Sequence, residues 1–514
     1  MKMPADRLNP KSAAAVLTGL IFLAFALRSI GLDLTFRSAD ETAVATRILK
    51  FPGFVWMFRE YYGLLINLIV KFWAAGVTAL GITLTEFWWK LPVALAGTLY
   101  VPLVWGYLGS LGAGTFGRLF GAAMTAVLPI HVMQSRYLWG YEVLGAFFLL
   151  LVLWTGRRFF EKPTRRRGAA LSLAAGLYLV SHGYILPFLP TLLLAIVLWP
   201  AHDGVPRLGR LPSSIALLFR RGVWIFPVLA LPFCLYPLAH TIRKPSSFGF
   251  FLFDHLPGFV ANIGLGVVVL FMISAFGFVD VVRERRKDIL LLVGAAAFYM
   301  APLVFGTPPG ITVVRGYMLI NSCLLMIAAV LCLDAWAVRR PRAVAAVAIL
   351  CFLSTLWGTA ESIFGRDRLF DPTLVKIERG GMSPDPGSKA AGYLLRRHLD
   401  PETAVQAIHR NIEPLNLFYY FDREETAYYD LLFEETRLVF EEEKHRMDVI
   451  ICEPEQAAFV EASGEFAPRI AVWSEGEPRL WIYARPHVPL PELSVEAREF
   501  NRAFDRTYAP KVRL

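Results

Sequence analysis

The sequence contains few cysteines and few charged residues for its length. Of 514 residues, five are cysteine and none forms a Cys-x-x-Cys pair, so neither a zinc site nor a disulfide framework is indicated. Charged residues make up 18% of the chain and hydrophobic residues 56%, which is far from the balance of soluble globular proteins. The net charge is +10, but the basic residues lie in short loops between apolar segments. This distribution is typical of a membrane protein and argues against nucleic-acid binding.

The apolar segments are long enough to cross a bilayer, since a span needs about 20 apolar residues and the chain offers about eleven such segments. They are 13–32, 89–108, 116–134, 140–158, 169–183, 184–199, 222–240, 259–282, 289–305, 313–336 and 343–363. The apolar stretch 169–199 is divided at its Ser-His-Gly turn, which contains His182. The segment 61–81 carries Asn67 and Lys71 in its middle, and a charge at mid-bilayer costs roughly 3 kcal/mol. We therefore expect 61–81 to lie in the membrane interface.

The distribution of Lys and Arg predicts the orientation. If the N-terminus is cytoplasmic and 61–81 does not span, the basic loops at 157–168, 200–221, 283–288 and 337–342 all lie inside. An odd number of crossings then places the C-terminal part outside, which means the periplasmic side of the inner membrane in a Gram-negative bacterium.

The predicted domain organisation is a transmembrane domain over 1–365 and an extracytoplasmic α/β domain over 371–514. The first outer loop is long, at 33–62, and a linker rich in Pro and Gly follows the last span. Within the C-terminal domain, Lys389–Leu399 is predicted to be an amphipathic helix. Strands are predicted at 404–409, 448–452, 470–473 and 480–483.

This orientation collects ionisable and polar residues on the outer face. Arginines suit the binding of a phosphate group, and a carboxylate can take a proton from an acceptor hydroxyl or amine. Several of them also have a purely structural interpretation. An adjacent Asp-Glu pair is often solvated or caps a helix. A glutamate near a helix end can reach the interface, and a histidine in a turn is often structural. The candidates are Asp40, Glu41, Arg59, Arg136, Glu142, His182, Arg315 and Tyr317.

These residues carry a resemblance to the GT-C glycosyltransferases, in the branch of protein O-mannosyltransferases and aminoarabinose (lipid A) transferases. Asp40 and Glu41 resemble the paired acidic residues after the first span of that family. Further similarities are the segments 27–29 (Leu-Arg-Ser), 90–97 (Lys-Leu-Pro-Val-Ala-Leu-Ala-Gly), 129–136 (Pro-Ile-His followed by Ser-Arg), and 315–317 (Arg-Gly-Tyr). Glu142 stands where the family usually has Asp, and Arg59 stands near the place of an absent Lys-Pro-Pro element.

The resemblance implies transfer of a sugar from a polyprenyl-phosphate donor to a lipid, glycan or protein acceptor, with inversion. Asp40 would be the general base, and Glu41 and Glu142 would position the acceptor or sugar. Arg59, Arg136 and Arg315 would neutralise the leaving phosphate. Tyr317 and His182 are the other predicted substrate-binding residues. No Asp-x-Asp motif accompanies the pair, so a metal is not required, although Mg²⁺ or Mn²⁺ remains possible.

Two other function classes compete with this interpretation. A lipid-linked-saccharide flippase would place charges along a path near the bilayer midplane, whereas here they gather at one face. A C-terminal binding module on a membrane anchor would need one span, and this chain offers many.

Overall fold

The computed structural model describes residues 9–33, 36, 39–50, 63–181, 185–199, 211–232, 265–305, 313–364, 387–400, 402–408, 419–421, 440 and 444–508. The chain forms two compact units. The first unit comprises Met1–Leu32, Gly53–Val70 and Lys90–Gly381, and the second comprises Asp33–Pro52, Lys71–Trp89 and Met382–Leu514. The second unit therefore combines the C-terminal region with two segments from the N-terminal part of the sequence.

Most described residues before position 365 are helical. The helices are α1 Pro10–Ser29, α2 Ala39–Lys50, α3 Leu64–Ala79, α4 Glu86–Ser110, α5 Thr115–Ala126, α6 Pro129–Gln134, α7 Tyr141–Glu161, α8 Arg165–Ser181, α9 Ile185–Leu198, α10 Leu211–Arg220, α11 Ile225–Pro232, α12 Leu265–Phe305, α13 Val313–Arg339 and α14 Pro341–Phe364. Within the described residues, six helices are long and apolar enough to cross a membrane, and the pair α10–α11, bent by 86°, makes up to seven. The chain is thus a multi-pass membrane protein, as its composition predicts.

Helix α3 covers the segment predicted not to span. It has 16 residues, which at 1.5 Å per residue is about 24 Å, shorter than the roughly 30 Å hydrocarbon core. Asn67 and Lys71 are both buried in the protein. The helix is thus too short for an untilted span, and its place in the interface stays a prediction.

Three predicted segments have different boundaries in the structure. The segments 259–282 and 289–305 are joined in the 41-residue helix α12, so the predicted loop 283–288 is helical. Arg, Lys and Glu, which make up most of 283–288, are good helix formers, and no Gly or Pro interrupts positions 278–293, so nothing in this stretch ends the helix. The segment 116–134 is broken before Pro129, which starts α6 because proline cannot continue α5. The predicted loop 200–221 contains α10.

Buried charges in the first unit have specific partners. Asp334, near the end of α13, accepts hydrogen bonds from the backbone N–H groups of Gly114 and Gly117, at 3.0 and 3.1 Å. These groups start α5, where a carboxylate is favoured by the helix dipole. Arg157 of α7 forms an ion pair with Asp288 of α12 and bonds Glu161 at 3.1 Å. Such pairing is what an ionisable group among membrane helices requires.

The C-terminal part of the second unit is built on a five-stranded sheet. Its strands are β1 Val405–Ile408, β2 Val449–Cys452, β3 Ala467–Ser474, β4 Glu477–Ala484 and β5 Leu493–Glu496, in the order β1-β2-β4-β3-β5. The β1–β2 and β3–β5 pairs are parallel, and the other pairs are antiparallel. The first four strands and α15 Ser388–His398 lie where the sequence predicts them. The strand β5 and the helices α16 Pro454–Ala462 and α17 Ala497–Tyr508 were not predicted.

Side chains of this sheet alternate between two cores. Val449 and Ile451 face a cluster that contains residues of α15 and the start of α17, whereas Ile450 and Cys452 face a second cluster with Val460 of α16. This period of two is what a strand buried on both faces produces. The sheet with its covering helices is the α/β arrangement that the strand pattern predicts.

Candidate active site

The predicted catalytic pair starts a helix. Asp40 and Glu41 lie in the first turn of α2, which begins at Ala39. Carboxylates are favoured there because the unsatisfied N–H groups give a helix N-terminus partial positive charge. The side chain of Glu41 is fully buried, whereas that of Asp40 lies outside the described part of the structure. A solvated acidic pair is therefore wrong for Glu41. Neither residue holds the N-cap position, because α2 already begins at Ala39.

Glu142 also lies in the first turn of a helix, α7. Its side chain is 1% exposed, so the protein encloses it and it does not extend to the interface. The turn before it depends on Gly140, which has a φ of 27°. A β-carbon at Gly140 would collide with Val93 of α4, so a larger residue would displace the start of α7. Local packing thus fixes the position of this carboxylate.

Arg136 connects the turn after α6 to the end of α1. Its guanidinium donates a hydrogen bond to the carbonyl of Ile30, and its Nη1 lies 3.7 Å from Met133 Sδ. A cation is favoured at this carbonyl because helix C-termini carry partial negative charge. A guanidinium has five N–H donors, so a hydrogen bond to Ile30 does not by itself prevent the same side chain from binding a phosphate.

Tyr317, in the first turns of α13, belongs to an aromatic group at the ends of four helices. Its ring centroid lies 6.5 Å from that of Tyr299 on α12. The hydroxyls of Tyr299 and Tyr178 are hydrogen-bonded to each other. The ring centroid of Tyr178 lies 4.3 Å from that of Phe188 on α9. Tyr317 is buried in this group. Its position is therefore set by packing between spans.

The remaining candidates fall wholly or partly outside the description. Arg59 and His182 are not among the described residues. Arg315 lies in the first turn of α13, but its side chain is not described. Their predicted roles stay predictions.

Three of the segments that carry the family resemblance, 27–29, 90–97 and 129–136, meet around a buried arginine. Arg28 of α1 is fully buried and donates hydrogen bonds to the carbonyls of Ala24, Ala126 and Thr125, at 3.0, 3.1 and 3.3 Å. Its Nη2 lies 2.9 Å from His131 Nδ1. Because a guanidinium only donates, Nδ1 must accept, which places the imidazole proton on Nε2 and keeps the ring neutral.

The other side of this arginine site is closed by close packing. His131 stacks on Tyr100 of α4 with centroids 4.8 Å apart. A β-carbon at Gly97 would lie 3.0 Å from Arg28 Nε and would collide with the Ser135 side chain. These residues therefore form one packed group. We call it the Arg28 cluster, and its members are Arg28, Gly97, His131 and Ser135. These three segments resemble elements of a family of enzymes, but several of their side chains pack inside the protein.

A second buried charge cluster lies in the second unit and was missed in the sequence. Lys389 Nζ of α15 lies 2.7 Å from Glu86 Oε2 and 2.6 Å from Asp505 Oδ1. Burial alone would lower the pKa of Lys389, but the two carboxylates outweigh it and raise that pKa. Burial and the neighbouring Glu86 charge raise the pKa of Asp505. The sequence feature that could have indicated this cluster is a single glutamate, Glu86, at the start of an apolar helix. We call the group of Lys389, Glu86 and Asp505 the Lys389 cluster.

Within the described residues, no group of three or more His, Cys, Asp or Glu side chains is arranged to hold a metal ion. The side chain of Asp40 lies outside the described part of the structure. The expectation that Mg²⁺ or Mn²⁺ is possible but not required therefore stays a prediction.

Comparison with solved structures identifies the fold. The structure of ArnT from Cupriavidus metallidurans, bound to undecaprenyl phosphate, matches with a TM-score of 0.54 and 12% identity over 91% of this chain and 97% of that chain. The oligosaccharyltransferase AglB from Archaeoglobus fulgidus, in complex with an inhibitory peptide and a dolichol-phosphate, matches with a TM-score of 0.52 and 11% identity over 93% and 75%. No family model and no curated sequence matches. The predicted resemblance is confirmed at the level of fold: the chain has the GT-C fold.

Proposed function

We propose that this protein is a glycosyltransferase that moves a sugar from a polyprenyl-phosphate donor to an acceptor at the outer face of the inner membrane. The observation that carries the proposal is the GT-C likeness over 91% of the chain to a structure bound to undecaprenyl phosphate. The structure with a dolichol-phosphate supports the same donor class, and its inhibitory peptide is compatible with a protein acceptor. Lipids and glycans remain equally open as acceptors.

In the proposed reaction, Asp40 takes the proton from the acceptor hydroxyl or amine. The acceptor attacks the anomeric carbon from the side opposite the phosphate, and the bond from that carbon to the phosphate oxygen breaks. The configuration inverts and polyprenyl phosphate leaves. A phosphate is already a competent leaving group, so cationic side chains need to neutralise its charge and need not protonate it.

The other residues have binding roles in this proposal. Glu41 and Glu142 orient the acceptor or sugar hydroxyls, and Arg59, Arg136 and Arg315 bind the donor phosphate. Tyr317 and His182 complete the substrate contacts. Support for a fixed arrangement comes from the burial of Glu41 and Glu142, since pre-positioned groups are the ones that lower a transition-state barrier.

The test is sugar transfer from a radiolabelled polyprenyl-phosphate pool in membranes that contain Asp40→Asn. Loss of a general base lowers the transfer rate by about 10²-fold or more. Asp33→Asn is the matched control, because Asp33 is an exposed aspartate of the same predicted loop and its variant should transfer at the wild-type rate. Normal transfer by a folded Asp40→Asn variant would contradict the assignment.

The predicted sidedness has its own test. A periplasm-active reporter fused after Leu514 should be active if the C-terminal domain is outside. A reporter that is active only in the cytoplasm would overturn the orientation and with it the use of a donor displayed on the outer face.

A further inference from the structure

The hydroxyl of Tyr420 lies between a carboxylate and a backbone amide of the second unit. It donates a hydrogen bond to Glu86 Oε1 at 2.6 Å, and it accepts one from the N–H of Phe36 at 3.4 Å. A phenol can do both at once. Burial raises the pKa of Tyr420, so the hydroxyl keeps the proton that it donates. Tyr420 thus joins the start of α4 to the segment that precedes α2.

Aromatic packing reinforces the same connection. Phe36 is fully buried, with its ring centroid 5.6 Å from that of Tyr419 and 6.3 Å from that of Tyr420. Tyr393 of α15 meets the Tyr420 ring edge-on at 5.6 Å. Pairs in this range stabilise beyond the area that they bury. Phe36 is therefore held both by its backbone and by its ring.

The Lys389 cluster in turn fixes the acceptor of the Tyr420 hydrogen bond. Glu86 uses Oε2 for Lys389 and Oε1 for Tyr420, and Lys389 is held on its other side by Asp505 of α17. Chains of hydrogen bonds polarise one another in a buried setting, so each link strengthens the next. The connection from α17 to Phe36 is continuous in the described residues.

We propose that Tyr420 is a positioning residue for the transfer reaction, acting through Phe36 on the start of α2. Phe36 stands four residues before Asp40 and five before Glu41, so fixing Phe36 limits where α2 begins. The inference rests on the proposed function for its catalytic consequence. It gives the C-terminal domain a part in arranging the active site, distinct from the binding of an acceptor.

Tyr420→Phe in the full-length protein tests the inference, because it removes the hydroxyl and keeps the ring on Phe36. Tyr483→Phe is the matched control: the Tyr483 hydroxyl donates to Glu461 at 2.8 Å, on the α16 side of the sheet in the same unit. Two quantities are measured in detergent: amide hydrogen exchange over residues 36–50, and kcat and KM for transfer from the polyprenyl-phosphate donor.

The expected result is faster exchange over 36–50 and a kcat lowered about tenfold in Tyr420→Phe, as for loss of one hydrogen bond to a charged group. The KM for the donor should change little, and Tyr483→Phe should change neither quantity. Wild-type exchange or wild-type kcat in Tyr420→Phe would overturn the inference, as would an equal fall of kcat in both variants.

The exchange measurement also separates this inference from the proposed function. If the wild-type protein transfers no sugar but Tyr420→Phe still exchanges faster over 36–50, the proposed function fails and the positioning contact stands. If the wild-type protein transfers and Tyr420→Phe does so equally well, the function stands and the positioning role fails.

Discussion

The Arg28 cluster and the Lys389 cluster solve the same physical problem in different ways. Each buries a cation. Arg28 is surrounded by backbone carbonyls and a neutral imidazole, whereas Lys389 is balanced by two carboxylates. A guanidinium can distribute its donors over several dipoles, while an ammonium is a compact charge that relies on opposite charge when buried. The Arg28 cluster should therefore tolerate loss of its cation better than the Lys389 cluster does.

The largest effect is expected for Lys389→Met, which leaves Glu86 and Asp505 buried without their cation. Breaking a buried pair in this way costs about 3–5 kcal/mol. Thermal denaturation of the detergent-solubilised protein, followed by limited proteolysis, reports the loss for the second unit. Lys444→Met is the control, since Lys444 pairs with the half-exposed Glu465 at 3.1 Å, and solvent screens such a pair, so its loss should be much smaller. Equal losses would break the comparison.

A smaller loss is expected for Arg28→Met. The substitution removes a charge and leaves no opposite charge behind, only carbonyls and His131 that lose a donor. The cost of such unsatisfied groups is about 1–3 kcal/mol, and the same denaturation assay applied to the first unit measures it. A loss larger than that of Lys389→Met would contradict the comparison.

The packing of the Arg28 cluster can be tested with Gly97→Ala, since the new methyl group collides with Ser135. Overpacking of this kind costs about 1–3 kcal/mol, and we place it at the lower end because one side chain can shift. Gly19→Ala on α1 is the matched control: no atom lies within 4 Å of its added β-carbon, so the protein should be unchanged or slightly stabilised. The readout is the thermal midpoint of the first unit.

The smallest effect is expected for Asp505→Asn. Because the folded pKa of Asp505 is raised, its ionised form is disfavoured in the folded state, and folding binds a proton as pH falls through that pKa. The wild-type protein should therefore gain stability relative to Asp505→Asn as pH falls from 7 toward about 4. The difference at neutral pH should be smaller than for the other three substitutions, because Glu86 still balances Lys389. A wild-type protein that loses stability relative to Asp505→Asn over this range would show a lowered pKa instead.

The two clusters also differ in how far the sequence could predict them. Arg28, Gly97, His131 and Ser135 belong to segments that resemble a known family, so their importance was visible although their packing role was not. Glu86 and Lys389 are 303 positions apart, and no local pattern relates them. Ion pairs of this kind depend on how segments that are distant in the sequence pack together, and neither hydrophobic periodicity nor turn residues specify that packing.

The same distinction holds for the elements. The first four strands and α15 were predictable because period-two and amphipathic patterns are local. The continuity of α12 was not, because the charge of 283–288 predicts a loop between two spans, whereas most of its residues favour a helix. For the candidate site, the structure places Asp40 and Glu41 in the first turn of α2 and Glu142 in the first turn of α7, while their catalytic roles stay predictions.

The most direct test of the account is the fate of a polyprenyl-phosphate sugar given to the purified protein in vesicles with an acceptor extract. Free polyprenyl phosphate is separated from intact glycolipid, and the sidedness of the glycolipid is measured in parallel. A glycosyltransferase releases polyprenyl phosphate in an acceptor-dependent way, and Asp40→Asn abolishes that release. Movement of the glycolipid across the bilayer with its sugar–phosphate bond intact would contradict the account and favour a flippase.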